Sequence, residues 1–323
     1  MVYFLLLLPG FFLLIYGANV LVDSASSLAK RYNIPNIVIG LTIVAFGTSA
    51  PELVVNVFSA IEGNTSLALG NVIGSNIFNV AVILGISAII YPLAVKSNTT
   101  WIEVPLAFLA ALLVIIIAND SLIDRAPASM ISRTDGFILL LFFVIFLAYN
   151  FQLIGKGDFS AEIQVKIMKP GKAVLLILAG LALLIAGGRM IVYSAVELAT
   201  LWGMPERVIG LTIVSVGTSL PELATSVVAA RKKNTDIAVG NIVGSNIFNI
   251  FFILGLTAVV EPVPFNANAQ VDLMVNLTLS ILLFAFIFTG KCRRVERWEG
   301  IIFICLYIAY LIYLVTSISS MPL

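Results

Sequence analysis

A stretch of 46 residues occurs twice in this chain. Gly40–Gly85 and Gly210–Gly255 align without a gap at a fixed offset of 170, and 27 positions are identical. Each copy carries Gly-Thr-Ser-X-Pro-Glu followed by Gly-Asn-X-X-Gly-Ser-Asn-Ile-Phe-Asn. The likeness reaches back to 13–29 and 183–199. Any fold must therefore use one motif twice, and each copy places a single Glu (Glu52, Glu222) inside an apolar run. A carboxylate within lipid is costly, so its paired recurrence marks a functional site. Duplication of a mere packing unit gives no reason to keep it.

The surroundings of the repeat are apolar enough for lipid. Of 323 residues, 60% are hydrophobic and 11% charged, with a mean hydropathy of +1.10. Soluble domains carry about 25% charged residues, so the class is integral membrane protein. The net charge of +1 gives nucleic acid no electrostatic footprint. There is no His, which removes the usual general base and the commonest zinc ligand. Cys292 and Cys305 form no metal or redox motif. The start lacks a basic n-region and reads as a retained first span rather than a secretory signal.

Ten spans fit the pattern: 2–29, 36–61, 65–91, 101–118, 135–152, 172–199, 206–231, 236–261, 270–290 and 299–318. The linker 153–171 separates an N-terminal half, 1–152, from a C-terminal half, 172–323. Five spans per half make the second copy enter the bilayer in the opposite sense. The expected fold is an all-α membrane protein of two inverted five-helix repeats, with spans 2, 3, 7 and 8 forming the core. In such transporters the site lies near the midplane, at the repeat interface. With both termini outside, the inward segments hold 14 Lys and Arg and the outward ones three, namely Arg125, Arg133 and Arg207. The predicted place is the plasma or inner membrane, with extracytoplasmic termini.

Within spans 2 and 7, Pro51 and Pro221 withhold an N–H from the turn before them. Carbonyls freed at that depth are tolerated where protein or a watery cavity receives them. Thr48 and Glu52, like Thr218 and Glu222, are spaced i, i+4, which predicts one shared helix face. Ser75 with Asn79, and Ser245 with Asn249, repeat that spacing in spans 3 and 8. Such oxygens suit Na⁺ or Ca²⁺. Asn71, Asn76, Asn241 and Asn246 read as glue between helices. Asp23 and Arg189 break the repeat, aligning with Tyr193 and Asn19, and are expected near span ends, snorkelling or paired.

Two glutamates supply a charge of −2. One Ca²⁺ or two Na⁺ neutralise it, and a third Na⁺ leaves +1. A cluster that takes either ion but not both couples their fluxes, so the expected function is an electrogenic Na⁺/Ca²⁺ antiporter. Protons could neutralise the pair as well, which keeps a Ca²⁺/H⁺ antiporter as the alternative. A cation channel is disfavoured because filters usually come from rings of subunits. An intramembrane enzyme is disfavoured because no nucleophile stands beside a base. No cofactor is expected, Na⁺ and Ca²⁺ being substrates, and no obligate protein partner.

GTSAPE with GNVIGSNIFN, and GTSLPE with GNIVGSNIFN, resemble the two α-repeats of the cation/calcium exchanger superfamily, in particular its prokaryotic Na⁺/Ca²⁺ exchangers. The resemblance implies a diamond of ion sites. Glu52 and Glu222 would be central ligands, and oxygens of Thr48 and Thr218 would join the Ca²⁺ site. Ser75, Ser245 and the backbone carbonyls of Ala45 and Ser215 would complete flanking Na⁺ sites, with Asn79 and Asn249 lining the middle. It also implies spans 1 and 6 sliding as a gating pair across a rigid core. Some archaeal relatives and the K⁺-dependent branch carry Asp at the position of Asn249. Asn here lowers the site's maximum charge and argues against K⁺ cotransport. The proton-exchanging branch departs from GTS-x-PE, so this pattern favours Na⁺.

Overall fold

In hydrocarbon a helix satisfies its own backbone, which is why most of the described residues are helical. The computed structural model describes residues 2–63, 65–123, 125–154, 167–201, 215–265, 269–290 and 293–319. Helix α1 spans Val2–Tyr32 and α2 spans Asn36–Thr48. Helix α3 follows at Ala50–Ile61. Helix α4 begins at Thr65 and runs through a π-helical stretch, Asn79–Leu84, to Ile90. After β1 (Leu93–Ala94) come α5 (Thr99–Ile117), the short α6 (Asp120–Ile123), β2 (Met130–Ile131) and α7 (Arg133–Leu153).

The second half has α8 (Pro170–Leu201), α9 (Ser215–Thr218), α10 (Leu220–Arg231) and α11 (Thr235–Val260), the last with a π-helical stretch at Phe248–Leu254. Then follow β3 (Val263–Pro264), α12 (Ala269–Phe286), β4 (Arg294–Val295) and α13 (Arg297–Ser319). Among the described residues, eight helices are long and apolar enough to cross a membrane, and the bent pair α2–α3 makes a ninth. The expected span 206–231 lies partly outside the described residues; α9 and α10 are its described part. The first span runs three residues beyond the expected end at 29, to Tyr32, and the sixth starts at Pro170 rather than 172.

Lipid tails are as apolar as Leu, so close packing of small residues holds such helices together. Gly40 of α2 and Gly240 of α11 bring two backbones together: a Cβ on Gly240 would lie 2.9 Å from the Ile37 carbonyl. Gly136 and Gly255 do the same for α7 and α11, and Gly85 and Gly300 for α4 and α13. The centre is therefore α4 and α11, with 72% and 83% of their most apolar stretches buried. Phe142, Phe143 and Phe146 of α7 interlock with Phe248, Phe251 and Phe252 of α11 at ring distances from 4.8 Å. Two antiparallel strand pairs, β1 with β4 and β2 with β3, tie the outer helices to the ends of α4 and α11.

Helices α1 and α8 pack mainly on each other. Gly17 meets Gly180, and Gly10 meets Gly187, so the two helices run antiparallel through a glycine-lined crossing. Each stands at the outside of the core and leaves large apolar side chains such as Phe12, Leu175 and Leu178 exposed.

Candidate functional site

The first carboxylate is set by a break in its span. Helix α2 ends at Thr48, Ser49 leaves helical geometry at φ −82° and ψ 6°, and α3 starts at Ala50 with a bend of 47°. Pro51 and Glu52 fall in the first turn of α3, where a missing N–H is harmless and the helix dipole favours a negative charge. The second half repeats this, with Ser219 at φ −88° and ψ 8°, and Pro221 and Glu222 in the first turn of α10. Both glutamates are buried, each 1% exposed.

The break corrects one expectation. Thr48 and Glu52 do not share one continuous helix face, because the chain turns between them at Ser49. Proline's missing donor and its clash with the preceding turn end α2 rather than merely kinking it. The turn gives Ser49 and Ser219 a role that spacing alone did not suggest. Ser49 Oγ donates to Glu222 Oε1 at 2.8 Å, and Ser219 Oγ donates to Glu52 Oε1 at 2.9 Å. Each carboxylate thus takes a hydroxyl from the other copy. Their only advance signal was a hydroxyl beside Thr48 and Thr218 in a duplicated motif.

The remaining candidates gather around this crossing. Ser75 and Thr218 face Glu52, and Thr48 faces Glu222. Thr48 Oγ1 approaches the Val44 carbonyl at 3.0 Å and Asn241 Oδ1 at 3.0 Å; Thr218 Oγ1 lies 3.5 Å from Asn71 Oδ1. Asn241 donates on to the Glu222 carbonyl and to Ser226, and Asn56 donates to the Glu52 carbonyl at 2.7 Å. The Ala45 carbonyl accepts from the Ser49 N–H at 3.0 Å, and Ser215 is the first residue of α9.

Asn79 and Asn249 are tied across the halves. Asn79 Nδ2 donates to Asn246 Oδ1 at 3.0 Å, and Asn249 Nδ2 donates to Asn76 Oδ1 at 2.9 Å. With their nitrogens committed, their oxygens are left over. Among the buried oxygens of the described residues that have no hydrogen-bond partner are six from the candidate residues: Oε2 of Glu52 and Glu222, Oγ of Ser75 and Ser245, and Oδ1 of Asn79 and Asn249. A buried polar atom without a partner costs about 1–3 kcal/mol, and more if charged. Among the described residues no three His, Cys, Asp or Glu converge. The donor set is therefore two carboxylates with neutral oxygens, which suits hard cations rather than zinc or copper.

A cavity of about 370 Å³ reaches the motifs from one side, lined by Pro51, Val54, Gly188, Arg189, Thr218 and Pro221 among others. Further along α1, polar side chains bond to the turn after α10. Lys232 Nζ lies 2.7 Å from Asp23 Oδ1, and Asn234 Nδ2 donates to Ser26 Oγ at 3.0 Å. Because Gly10 packs at the level of Gly187–Ile191, Asp23 lies 13 residues further along α1, about 20 Å from the level of Arg189 at 1.5 Å per residue. Asp23 is paired as expected but lies well inside α1, which ends at Tyr32, and Arg189 lies well inside α8, which ends at Leu201, where it lines the cavity and enters no ion pair among the described residues.

The sodium/calcium exchanger protein family matches this chain over residues 2–152 and 172–316. CaxA of Alkalimonas amylolytica is 38% identical over 316 residues, covering 96% of this chain and 98% of that one. The sodium/calcium exchanger MaX1 of Methanosarcina acetivorans is 32% identical over 349 residues, covering 96% and 98%. The solved structure of the sodium-calcium exchanger NCX_Mj, soaked with Na⁺ and no Ca²⁺, superposes with a TM-score of 0.81 at 30% identity over 99% of both chains. Eight or nine apolar spans, the doubled Glu motif and these matches together make the chain a multi-pass membrane protein, and it belongs to the sodium/calcium exchanger protein family.

Proposed function

We propose that the protein is a secondary antiporter that exchanges Na⁺ for Ca²⁺ by alternating access. The observation that carries this reading is the pair of crosswise-bonded buried glutamates, each with an Oε2 that has no partner. They would bind the cargo: Glu52 and Glu222 as shared ligands, Thr48 and Thr218 beside them for Ca²⁺, and Ser75, Ser245, Asn79, Asn249 and the Ala45 and Ser215 carbonyls for Na⁺ and the middle position. Two carboxylates accept one Ca²⁺ or two Na⁺ at neutrality. A third Na⁺ makes the exchange electrogenic. An empty site leaves two bare carboxylates in a low dielectric, which disfavours crossing unloaded. No cofactor or chemical step is needed.

The architecture goes with that reading. Ten spans would form inverted repeats, 1–152 and 172–323, joined by a cytoplasmic linker at 153–171, with both termini extracytoplasmic. The antiparallel α1–α8 crossing, the reciprocal serine–glutamate bonds and the exchanged strand pairs all agree with a two-fold axis in the membrane plane. The cavity at Arg189 is then the open outer mouth, and the Asp23–Lys232 contact closes the inner one. Sodium-gradient-driven ⁴⁵Ca²⁺ uptake into proteoliposomes tests the proposal. Uptake that follows a proton gradient and ignores Na⁺ would replace it with Ca²⁺/H⁺ exchange.

A further inference from the structure

The cavity that reaches the two motifs carries a positive charge on its wall. Arg189 lines it together with Pro51, Thr218 and Pro221, residues of the two motifs that set Glu52 and Glu222. Its side chain is exposed, and among the described residues it enters no ion pair. A guanidinium keeps its proton at any physiological pH, so the charge is fixed. The matching residue of the first half is Asn19, a neutral amide that donates to the Ile15 carbonyl of its own helix at 2.9 Å. The two halves therefore differ in charge at this matched position although their motifs are alike.

We infer that Arg189 is a specificity-determining residue, acting as a fixed charge that weighs twice as heavily against a divalent cation as against a monovalent one. The inference rests on the Na⁺/Ca²⁺ reading above. An ion's energy in a given potential is proportional to its charge. If Arg189 weakens Na⁺ occupancy by a factor f, it weakens Ca²⁺ occupancy by f squared. A unit charge acting through about 10 Å of water gives about twofold for Na⁺ and about fourfold for Ca²⁺. Ion for ion this weakens Ca²⁺ more than Na⁺, while a load of three Na⁺, carrying three charges, is weakened by f cubed. Near Asn19 the charges are instead Lys232, which reaches the Asn19 carbonyl at 3.4 Å, and Asp23, paired with it at 2.7 Å.

The test compares wild type, Arg189→Gln and Arg189→Lys. Equilibrium binding of ⁴⁵Ca²⁺ and ²²Na⁺ to the purified proteins is measured beside exchange in proteoliposomes, at low ionic strength and in about 0.5 M choline chloride, where the effect shrinks by screening. Arg189→Gln is expected to lower the half-saturating Ca²⁺ about fourfold and that of Na⁺ about twofold, while Arg189→Lys leaves both as in wild type. Equal shifts for the two ions, no shift, or a Lys variant that behaves like Gln overturns the inference. A wild type that binds both ions but does not exchange them overturns the exchanger reading instead, and the binding ratio still decides the role of Arg189.

Discussion

The contact between Lys232 and Asp23 gives a test of which parts move. It joins α1 to the turn after α10, on the side away from the cavity, and Lys232 also reaches the Asn19 carbonyl at 3.4 Å. At 2.7 Å the bare Coulomb attraction is large, but the side chains are 31% and 58% exposed, so solvent screens most of it. A pair of that kind is worth about 0.2–1 kcal/mol. If α1 slides across the core, the pair exists only while the far mouth is shut. Lys232→Ala then shifts the two-state balance by at most about fivefold toward the form open at that mouth. The Asn234–Ser26 bond on the same side remains. Apparent Ca²⁺ affinity measured from the cavity side falls by at most that factor, because only the competent fraction binds, and affinity from the other side rises. The assay is ⁴⁵Ca²⁺ exchange in proteoliposomes of defined orientation, with the charge-swapped pair Asp23→Lys, Lys232→Asp as rescue. Affinities that change in the same sense on both sides, or a swap that fails to restore the balance, would refute a latch between α1 and the core.

Glu52→Gln or Glu222→Gln removes half of the site's charge, and either is expected to lower Na⁺-driven ⁴⁵Ca²⁺ uptake at least 100-fold while the protein still elutes as a folded species in detergent. Gly244→Ala places a Cβ 2.8 Å from both the Ala45 Cβ and the Leu41 carbonyl, atoms with no rotamer to give. The α2–α11 contact must open, costing about 1–3 kcal/mol, which a lower thermal unfolding temperature would show. Glu103 is also buried, but it accepts from Tyr149 at 2.6 Å between α5 and α7, away from the repeated motifs. Tyr149→Phe is expected to destabilise the protein by about 1–3 kcal/mol, with Na⁺ and Ca²⁺ affinities unchanged in the folded fraction.

The fold was legible where physics leaves few options. Apolar runs of span length can only be helices in lipid, and the offset of 170 exposed the doubling. The two glutamates stood out because a carboxylate is so rare in such runs. Glu103 shows the limit of that signal, since it is a buried carboxylate in a span start, bonded at Oε1 by Tyr149 and outside the repeated motifs. What spacing hid was the backbone. Helical periodicity assumes 3.6 residues per turn, while the chain breaks at Ser49 and Ser219 and widens into π-helical turns at Gly40–Val44, Asn79–Leu84 and Phe248–Leu254. Those departures decide which oxygens face one another. The pairing of Asp23 with Lys232 joins residues 209 apart in sequence, so no local pattern could show it.

The exchange of hydroxyls between Ser49 and Glu222, and between Ser219 and Glu52, makes each half of the chain the complement of the other. A fragment ending in the linker would hold one acid and the serine meant for its absent twin, so neither piece alone could rebuild the pocket. Mixing the two fragments is the experiment that this lacing invites. Drift in one copy is also felt at once by its counterpart, which gives a physical reason for 27 identities in 46 to persist within a single polypeptide.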